Sequence, residues 1–295
     1  MIGRIHKIAA NDYEVHTDQG LIHCRFRGKA KRGRHDALKL AAVGDRVEVT
    51  PGESREGSIE KVLPRRSKLS RHDVMRPSVE QVIVANVDVL FIVQAAKDPD
   101  FNDLIVDKCT VMGAANGLPC MIVVNKSDLA RPDLSAYEKA GYRCLRTSAV
   151  TKEGIEELRE MLKDRTSVFL GPSGVGKSSL VNALDPAVDL KVGAVSRRGE
   201  GRHTTTWTEL IPMAGGMLAD TPGLEFFTLW GVTPENLKDH FLEFAELAPG
   251  CKFRNCGHLT ETGCAVRDHV TESRYRNYLD IRAKLAERRA LFEGP

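Results

Sequence analysis

The chain has 295 residues, of which 42% are hydrophobic, 28% charged and 6% aromatic, a composition that excludes a collagen-like or wholly disordered chain and leaves room for two or three domains. Its net charge is only +3, but the sign is unevenly spread: residues 1–70 hold 15 basic and 9 acidic side chains, 71–230 hold 18 and 21, and 231–295 hold 10 of each. The most apolar run, 82–96, is broken by Asn86, Asp88 and Gln94, and Arg4 and Lys7 have no apolar stretch behind them, so neither a membrane span nor a secretion signal is expected; with an odd cysteine count the chain reads as cytoplasmic.

Residues 1–68 read as short strands between turns, with apolar and polar side chains alternating over 21–27 and 45–49. A small closed β-barrel suits such a segment, because closure of about five strands removes the exposed sheet edges. The basic excess is densest at Lys29, Lys31, Arg32 and Arg34. It suggests a polyanionic partner such as nucleic acid, although charge alone equally suits a solvated loop. The stretch 64–77 is charged, proline-flanked and without a period, and reads as a linker. From about 81 to 230 apolar strands alternate with helical segments, the pattern of a doubly wound α/β domain with a parallel sheet. Its expected strands are 81–85, 88–94, 119–124, 142–146, 167–171, 207–212 and 216–219. Helices are expected to open near Asn102, after Thr151 with Glu153, Glu156 and Glu157 in the first turns, and at Gly176. Residues 231–295 show no strand pattern: a helix opens at Thr233, a cysteine cluster follows, and a long helix covers about 273–290.

Gly171-Pro172-Ser173-Gly174-Val175-Gly176-Lys177-Ser178, followed by Ser179 at the start of an amphipathic helix and preceded by an apolar strand, has the form of a phosphate loop. Its glycines let backbone N–H groups turn towards phosphate oxygens. Lys177 neutralises the outer phosphates, and the Ser178 hydroxyl is placed for magnesium. A phosphate loop alone leaves kinase, ATPase and GTPase open. Asn125-Lys126-Ser127-Asp128, at the end of another strand, favours GTP, because a carboxylate at Asp128 accepts from both N1–H and the exocyclic amine of guanine, whereas adenine leaves it unpaired. Thr147-Ser148-Ala149 closes the next strand and supplies backbone donors, Ser148 and Ala149 among them, for the guanine carbonyl oxygen. Asp220-Thr221-Pro222-Gly223 ends the strand 216–219, where Asp220 can hold magnesium through water and the Gly223 N–H can reach the terminal phosphate.

Of the seven cysteines, Cys24, Cys109, Cys120 and Cys144 are scattered, while Cys251, Cys256 and Cys264 cluster with His258. An odd total with a local cluster suggests reduced thiols and a metal site. Three thiolates and one imidazole within fourteen residues supply the four soft ligands of a closed tetrahedral site, so one structural Zn2+ per chain is expected. His240 and His269 flank the cluster and are expected to be ordinary surface residues.

The order of these motifs is reversed relative to most GTPases, since the base-reading elements precede the phosphate loop. In this, and in Ala85-Asn86-Val87-Asp88, Gly201-Arg202-His203-Thr204-Thr205-Thr206 and the cysteine cluster, the chain resembles the RsgA (YjeQ) family of circularly permuted GTPases over essentially its whole length. The resemblance implies an N-terminal OB-fold barrel (1–68), a permuted GTPase domain (69–230) and a C-terminal helical zinc domain (231–295). It also implies late maturation of the small ribosomal subunit through contact with that subunit and its ribosomal RNA, with hydrolysis of GTP to GDP and phosphate stimulated by the subunit. The segment 197–206 lies where a switch loop belongs. One of its threonines is expected to bind Mg2+ with GTP, and Thr205 is carried as the candidate although spacing does not choose among 204–206. Ras-like GTPases orient the attacking water with a glutamine after Asp-x-x-Gly. Leu224 stands there in this chain, so His203, matching the histidine of the family motif, is the expected catalytic group beside Lys177. A monomer is expected. Two rivals stand beside this reading: an RNA-binding assembly protein whose GTP site only senses, and a P-loop kinase or ATPase, which Asn125–Asp128 opposes.

Overall fold

A computed structural model of the chain describes residues 1–26, 41–73, 76, 78–186, 188, 208–220 and 228–293. Five strands, β1 (Ile2–Ala9), β2 (Asp12–Thr17), β3 (Gly20–Phe26), β4 (Arg46–Pro51) and β5 (Glu56–Val62), close into a barrel in the order β1-β2-β3-β5-β4. The β1–β4 pairing completes the ring, and β3–β5 is its one parallel pairing. Alternation fills its interior: Ile5, Val15, Ile22, Cys24, Val47, Val49 and Ile59 are buried.

The segment expected as a linker instead carries a strand, β6 (Lys68–His72), which pairs antiparallel with β7 (Glu80–Ala85). The expected strand 81–85 therefore belongs to this hairpin and not to the parallel sheet. Long-range pairing decides this, since β6 buries only Leu69 and Ser70 and has no legible period. Just beyond β7, Asn86 adopts φ 56°, and its side chain donates to Gly44 O at 2.9 Å and accepts from Arg66 N at 3.0 Å. Asp88 then takes Thr166 N at 2.8 Å and Arg66 at 2.6 Å. These two polar residues bind the barrel, the hairpin and the central sheet to one another.

The central sheet runs in the order β10 (Arg143–Arg146), β9 (Cys120–Asn125), β8 (Val89–Ala95), β11 (Thr166–Leu170), β13 (Gly216–Asp220) and β12 (Glu209–Met213). All neighbours are parallel except β12 against β13. A single antiparallel register pair, Lys7 with Glu209, joins β12 to β1, so barrel and sheet are continuous. β8 is buried throughout, and its side chains alternate between two cores. Leu90 and Ile92 pack towards α1 (Asp103–Ala115), while Phe91 and Val93 pack towards α3 (Ile155–Leu162) and α4 (Lys177–Leu184). A short helix, α2 (Ser135–Lys139), was not foreseen; it lies between β9 and β10.

The helix expected to open at Thr233 does not start there. Thr233 and Asn236 cap each other's N–H groups in a tight turn, at 2.7 and 3.3 Å, and a 3-10 turn at Leu237–His240 leads into α5 (Leu242–Leu247). Then follow a 3-10 turn at Ala248–Gly250, α6 (Ala265–His269) and α7 (Glu272–Glu293). Fully buried Arg274 of α7 donates to both Glu243 oxygens at 2.7 and 2.8 Å and to Asp107 of α1, and stacks on the Phe241 ring at 4.8 Å. Asn277 adds a bond to Asp107 at 2.7 Å. A buried charge held by two carboxylates fixes α7 on α1, and breaking one partner would leave an uncompensated ion. No helix of the described residues is long and apolar enough to cross a membrane.

Candidate nucleotide site and metal cluster

The loops after β8, β9, β10 and β11, together with the end of β13, all emerge at the carboxyl edge of the sheet, where open α/β sheets bind ligands. Gly171 to Gly176 follow β11, and α4 starts at Lys177. Gly176 has φ 90°, and a Cβ there would stand 2.4 Å from Asn125 Nδ2, so only glycine fits between the phosphate loop and the base-reading loop. Val175 is fully buried and offers the ligand side only its backbone. Lys177 Nζ donates to Gly171 O and Pro172 O at 2.7 and 2.8 Å, across the mouth of the loop. Ser178 and Ser179 lie half-buried in the first turn of α4, which Leu180, Val181 and Leu184 anchor in the core.

The base-reading residues are clipped to this loop. Buried Asn125 donates from Nδ2 to Val175 O at 3.0 Å, and Lys126, in the left-handed region at φ 60°, reaches Gly174 O at 2.8 Å and also Asp98 O. Asp128 is exposed, and its carboxylate accepts from Ser148 Oγ at 2.5 Å. Ser148 is itself held, since its hydroxyl accepts from Val150 N and Thr151 N at 3.2 and 3.1 Å. Buried Ser127 turns away from the loop mouth, donating from Oγ to Glu153 Oε2 at 2.7 Å, while its N–H bonds Thr147 O at 3.1 Å. Four expected nucleotide-binding segments, 125–128, 147–149, 171–179 and the end of β13 at Asp220, thus meet at one sheet edge.

Glu153, expected inside the first turns of a helix, instead precedes the helix, whose N-cap is Gly154 at φ 68°. The bond from Ser127 and the pairing with Arg131 at 2.8 Å hold its carboxyl below the usual range, so it is charged at neutral pH. Its link to the base-reading loop joins residues 26 apart in sequence and had no local signal.

The ligand atoms of Cys251, Cys256, His258 and Cys264 all lie within 4.8 Å of one another, the only such grouping of metal-ligating side chains among the described residues. His258 Nδ1 sits 3.7 and 3.4 Å from the sulfurs of Cys251 and Cys264. Zinc–sulfur bonds of about 2.3 Å place tetrahedral ligands roughly 3.8 Å apart, so the cluster fits a zinc ion after slight contraction. Tyr275 Oη donates to His258 O at 2.9 Å, and Lys238 Nζ to Cys256 O at 2.9 Å. Glu261, missed in the sequence, shapes the loop: its carboxylate accepts from Gly257 N and Leu259 N, both at 2.7 Å, and bonds from its own backbone N–H and from these two bring its pKa down to about 2. Burial pushes the scattered thiols the other way, Cys24 to about 11 and Cys120 and Cys144 to about 12, which marks them as inert. His269 is exposed, but His240 is half-buried, contrary to the surface position expected for it.

Lys29, Lys31, Arg32, Arg34, His203, Thr204, Thr205, Thr206, Gly223 and Leu224 lie outside the described residues.

Comparison with known proteins identifies the family. The family model described as the RsgA GTPase matches residues 62–230, and that of the RsgA N-terminal domain matches 2–59. The small ribosomal subunit biogenesis GTPase RsgA of Gemmatimonas aurantiaca is 42% identical over 291 residues, covering 94% of each chain. Its namesake from Caldanaerobacter subterraneus is 39% identical, covering 97% of this chain and 96% of that one. Among solved structures, YjeQ from Thermotoga maritima superposes with a TM-score of 0.76 at 35% identity, over 97% of this chain and 98% of that one. YloQ, described as a circularly permuted GTPase, gives a TM-score of 0.74 at 28% identity over 97% and 95%.

Proposed function

The chain belongs to the RsgA GTPase family, and from that premise we propose how its residues perform the work of a GTPase in small ribosomal subunit biogenesis. The observation that carries the assignment is the bond from Asn125 to Val175 O at 3.0 Å, which fastens a guanine-reading loop to a phosphate loop 50 residues away. Asp128, oriented by Ser148, accepts from N1–H and the exocyclic amine of guanine. Thr147 N–H is committed to Val124 O and Ser148 N–H to Glu153 O, so Ala149 N–H is the donor of that turn for the guanine carbonyl. The backbone of 171–176 and Lys177 hold the phosphates, with Ser178 and Ser179 opening the helix beneath them. Ser178, Thr205 and Asp220 would hold Mg2+, which neutralises charge on the phosphates when bound. Gly223 N–H would reach the terminal phosphate, and His203 would orient the attacking water.

In the division into a barrel (1–68), a GTPase domain (69–230) and a helical zinc domain (231–295), RNA contact falls to the barrel. Cys251, Cys256, His258 and Cys264 would hold one structural zinc, whose four protein ligands leave no position for catalysis. The protein acts as a cytoplasmic monomer on late small subunits, contacting their ribosomal RNA. GTP hydrolysis measured with purified small or large subunits, and with ATP as competitor, tests the proposal. Stimulation by small subunits alone, insensitive to ATP, is expected. Equal turnover with and without subunits would leave a sensor, and inhibition by ATP would return the site to a kinase or ATPase.

A further inference from the structure

Glu153 touches both guanine-reading loops at once, through different groups. Its side chain accepts from Ser127 Oγ at 2.7 Å, and its backbone carbonyl accepts from Ser148 N at 3.0 Å. Ser127 is the immediate neighbour of Asp128, and Ser148 is the residue whose hydroxyl holds the Asp128 carboxylate at 2.5 Å. The second oxygen of Glu153 is occupied by Arg131 at 2.8 Å, so its charge is matched at the rim of the site. The backbone around it has little freedom. Gly154 lies so close to the end of β10 that a Cβ would stand 2.2 Å from Arg146 O, and Lys152 N bonds Ser148 O at 2.9 Å.

Guanine is read at two edges, the N1–H and amine by a carboxylate on one loop and the carbonyl by an N–H on the other, so the spacing between loops sets how well both are met together. Asp128 is exposed, two residues beyond Lys126 in the left-handed region, and its carboxylate is held from across the site by Ser148 Oγ at 2.5 Å. We infer that Glu153 is a positioning residue for guanine recognition, locking the loop 125–128 to the turn 147–149 so that Asp128 meets both guanine donors. It does not touch the nucleotide and acts through Ser127 and Ser148. The inference rests on the nucleotide site proposed above.

The test compares GDP with inosine diphosphate, which keeps the carbonyl and N1–H but lacks the exocyclic amine. Glu153→Ala is expected to weaken GDP about tenfold, the scale of one lost hydrogen bond to a charged group. It is expected to weaken inosine diphosphate only about threefold, narrowing the preference, while turnover at saturating GTP stays near that of the parent. Glu153→Gln, whose amide oxygen still accepts from Ser127, should recover most of the GDP affinity. Ser127→Ala should reproduce the effect of Glu153→Ala, and the double variant should add little to either. Equal losses for the two nucleotides, or additive effects of the two substitutions, would overturn the inference. A parent that does not prefer GDP over adenine nucleotides would overturn the nucleotide site itself, and a guanine-selective parent whose selectivity survives Glu153→Ala would overturn only the role of Glu153.

Discussion

The Cys3His cluster and the candidate nucleotide site are built in opposite ways. The cluster draws its four ligands from Cys251 to Cys264, a single short loop shaped by Glu261 and capped by Tyr275. The nucleotide site draws on segments from Asn125 to Asp220, held by backbone and side-chain bonds between loops far apart in sequence, such as Asn125 to Val175 O and Ser148 to Asp128. The cluster packs through Cys256, Cys264, Val266 and Tyr278 on the core and gains local folding free energy when a metal binds, whereas the nucleotide loops inherit their geometry from a buried parallel sheet. Among the described residues the two regions are joined through scaffold: Arg274 and Asn277 of α7 grip Asp107 of α1, and Arg276 pairs with Asp103.

The sharpest test of this contrast is Cys256→Ser. It is expected to release the metal and unfold the segment around 250–265, a loss on the order of several kcal/mol, while GDP affinity remains within a few-fold of the parent. Metal analysis, limited proteolysis and nucleotide titration check it together, and loss of GDP binding would mean that the grip on Asp107 makes the regions one unit. Asp128→Asn is the converse. It should weaken GDP by about 10²-fold, since bonds to a carboxylate are lost and an amide presents a donor to guanine's donors, and should lower discrimination against xanthine nucleotides. Competition binding reads this, and zinc content should not change.

His203→Ala divides binding from turnover inside the nucleotide site. Subunit-stimulated single-turnover hydrolysis should fall about 10²-fold, the scale of a positioned acid-base group, with GTP affinity and subunit binding little altered. Rates equal to the parent's would pass the role to Thr204, Thr205, Thr206 or a group on the subunit.

The smallest effect lies outside both sites and serves as their control. In the barrel His6 stacks on His16 at 3.8 Å, and burial, helped by His16 and Arg4, lowers its pKa from 6.5 to about 4. A folded-state value below the unfolded one means that this stability is complete above pH 6.5 and is lost as pH falls towards 4. His6→Gln, neutral throughout, should therefore lose less Tm than the parent between pH 7 and 5, by a few degrees at most, with nucleotide selectivity untouched. Identical pH profiles would show that His6 is not buried in its neutral form.

Where chemistry and local pattern coincide, the chain was legible. The phosphate loop needs glycines at set positions and a lysine at the start of a helix, and a closed metal site needs four soft ligands close in sequence, so both candidates could be located without coordinates. Alternation revealed the barrel strands, and continuous apolar runs revealed the parallel sheet. The strand Lys68–His72 escaped because its residues satisfy no period of their own and pair only once β7 is beside them. Glu153 was misplaced for a related reason: an acid before a helix suits the helix dipole, and its bond to Ser127 lies across a loop whose fold depends on Gly154.

Sequence alone therefore determined which chemical groups are present and which local turns carry them, because loop glycines, ligand spacing and hydrophobic period are short-range constraints. Tertiary structure decided how the reversed order of motifs becomes one site. The short helix α3 carries the chain from edge strand β10 back to the central strand β11, and only the stacking of β10, β9, β8 and β11 brings Asn125 against Val175. Such contacts are selected by the packing of the whole sheet, which no window of neighbouring residues contains.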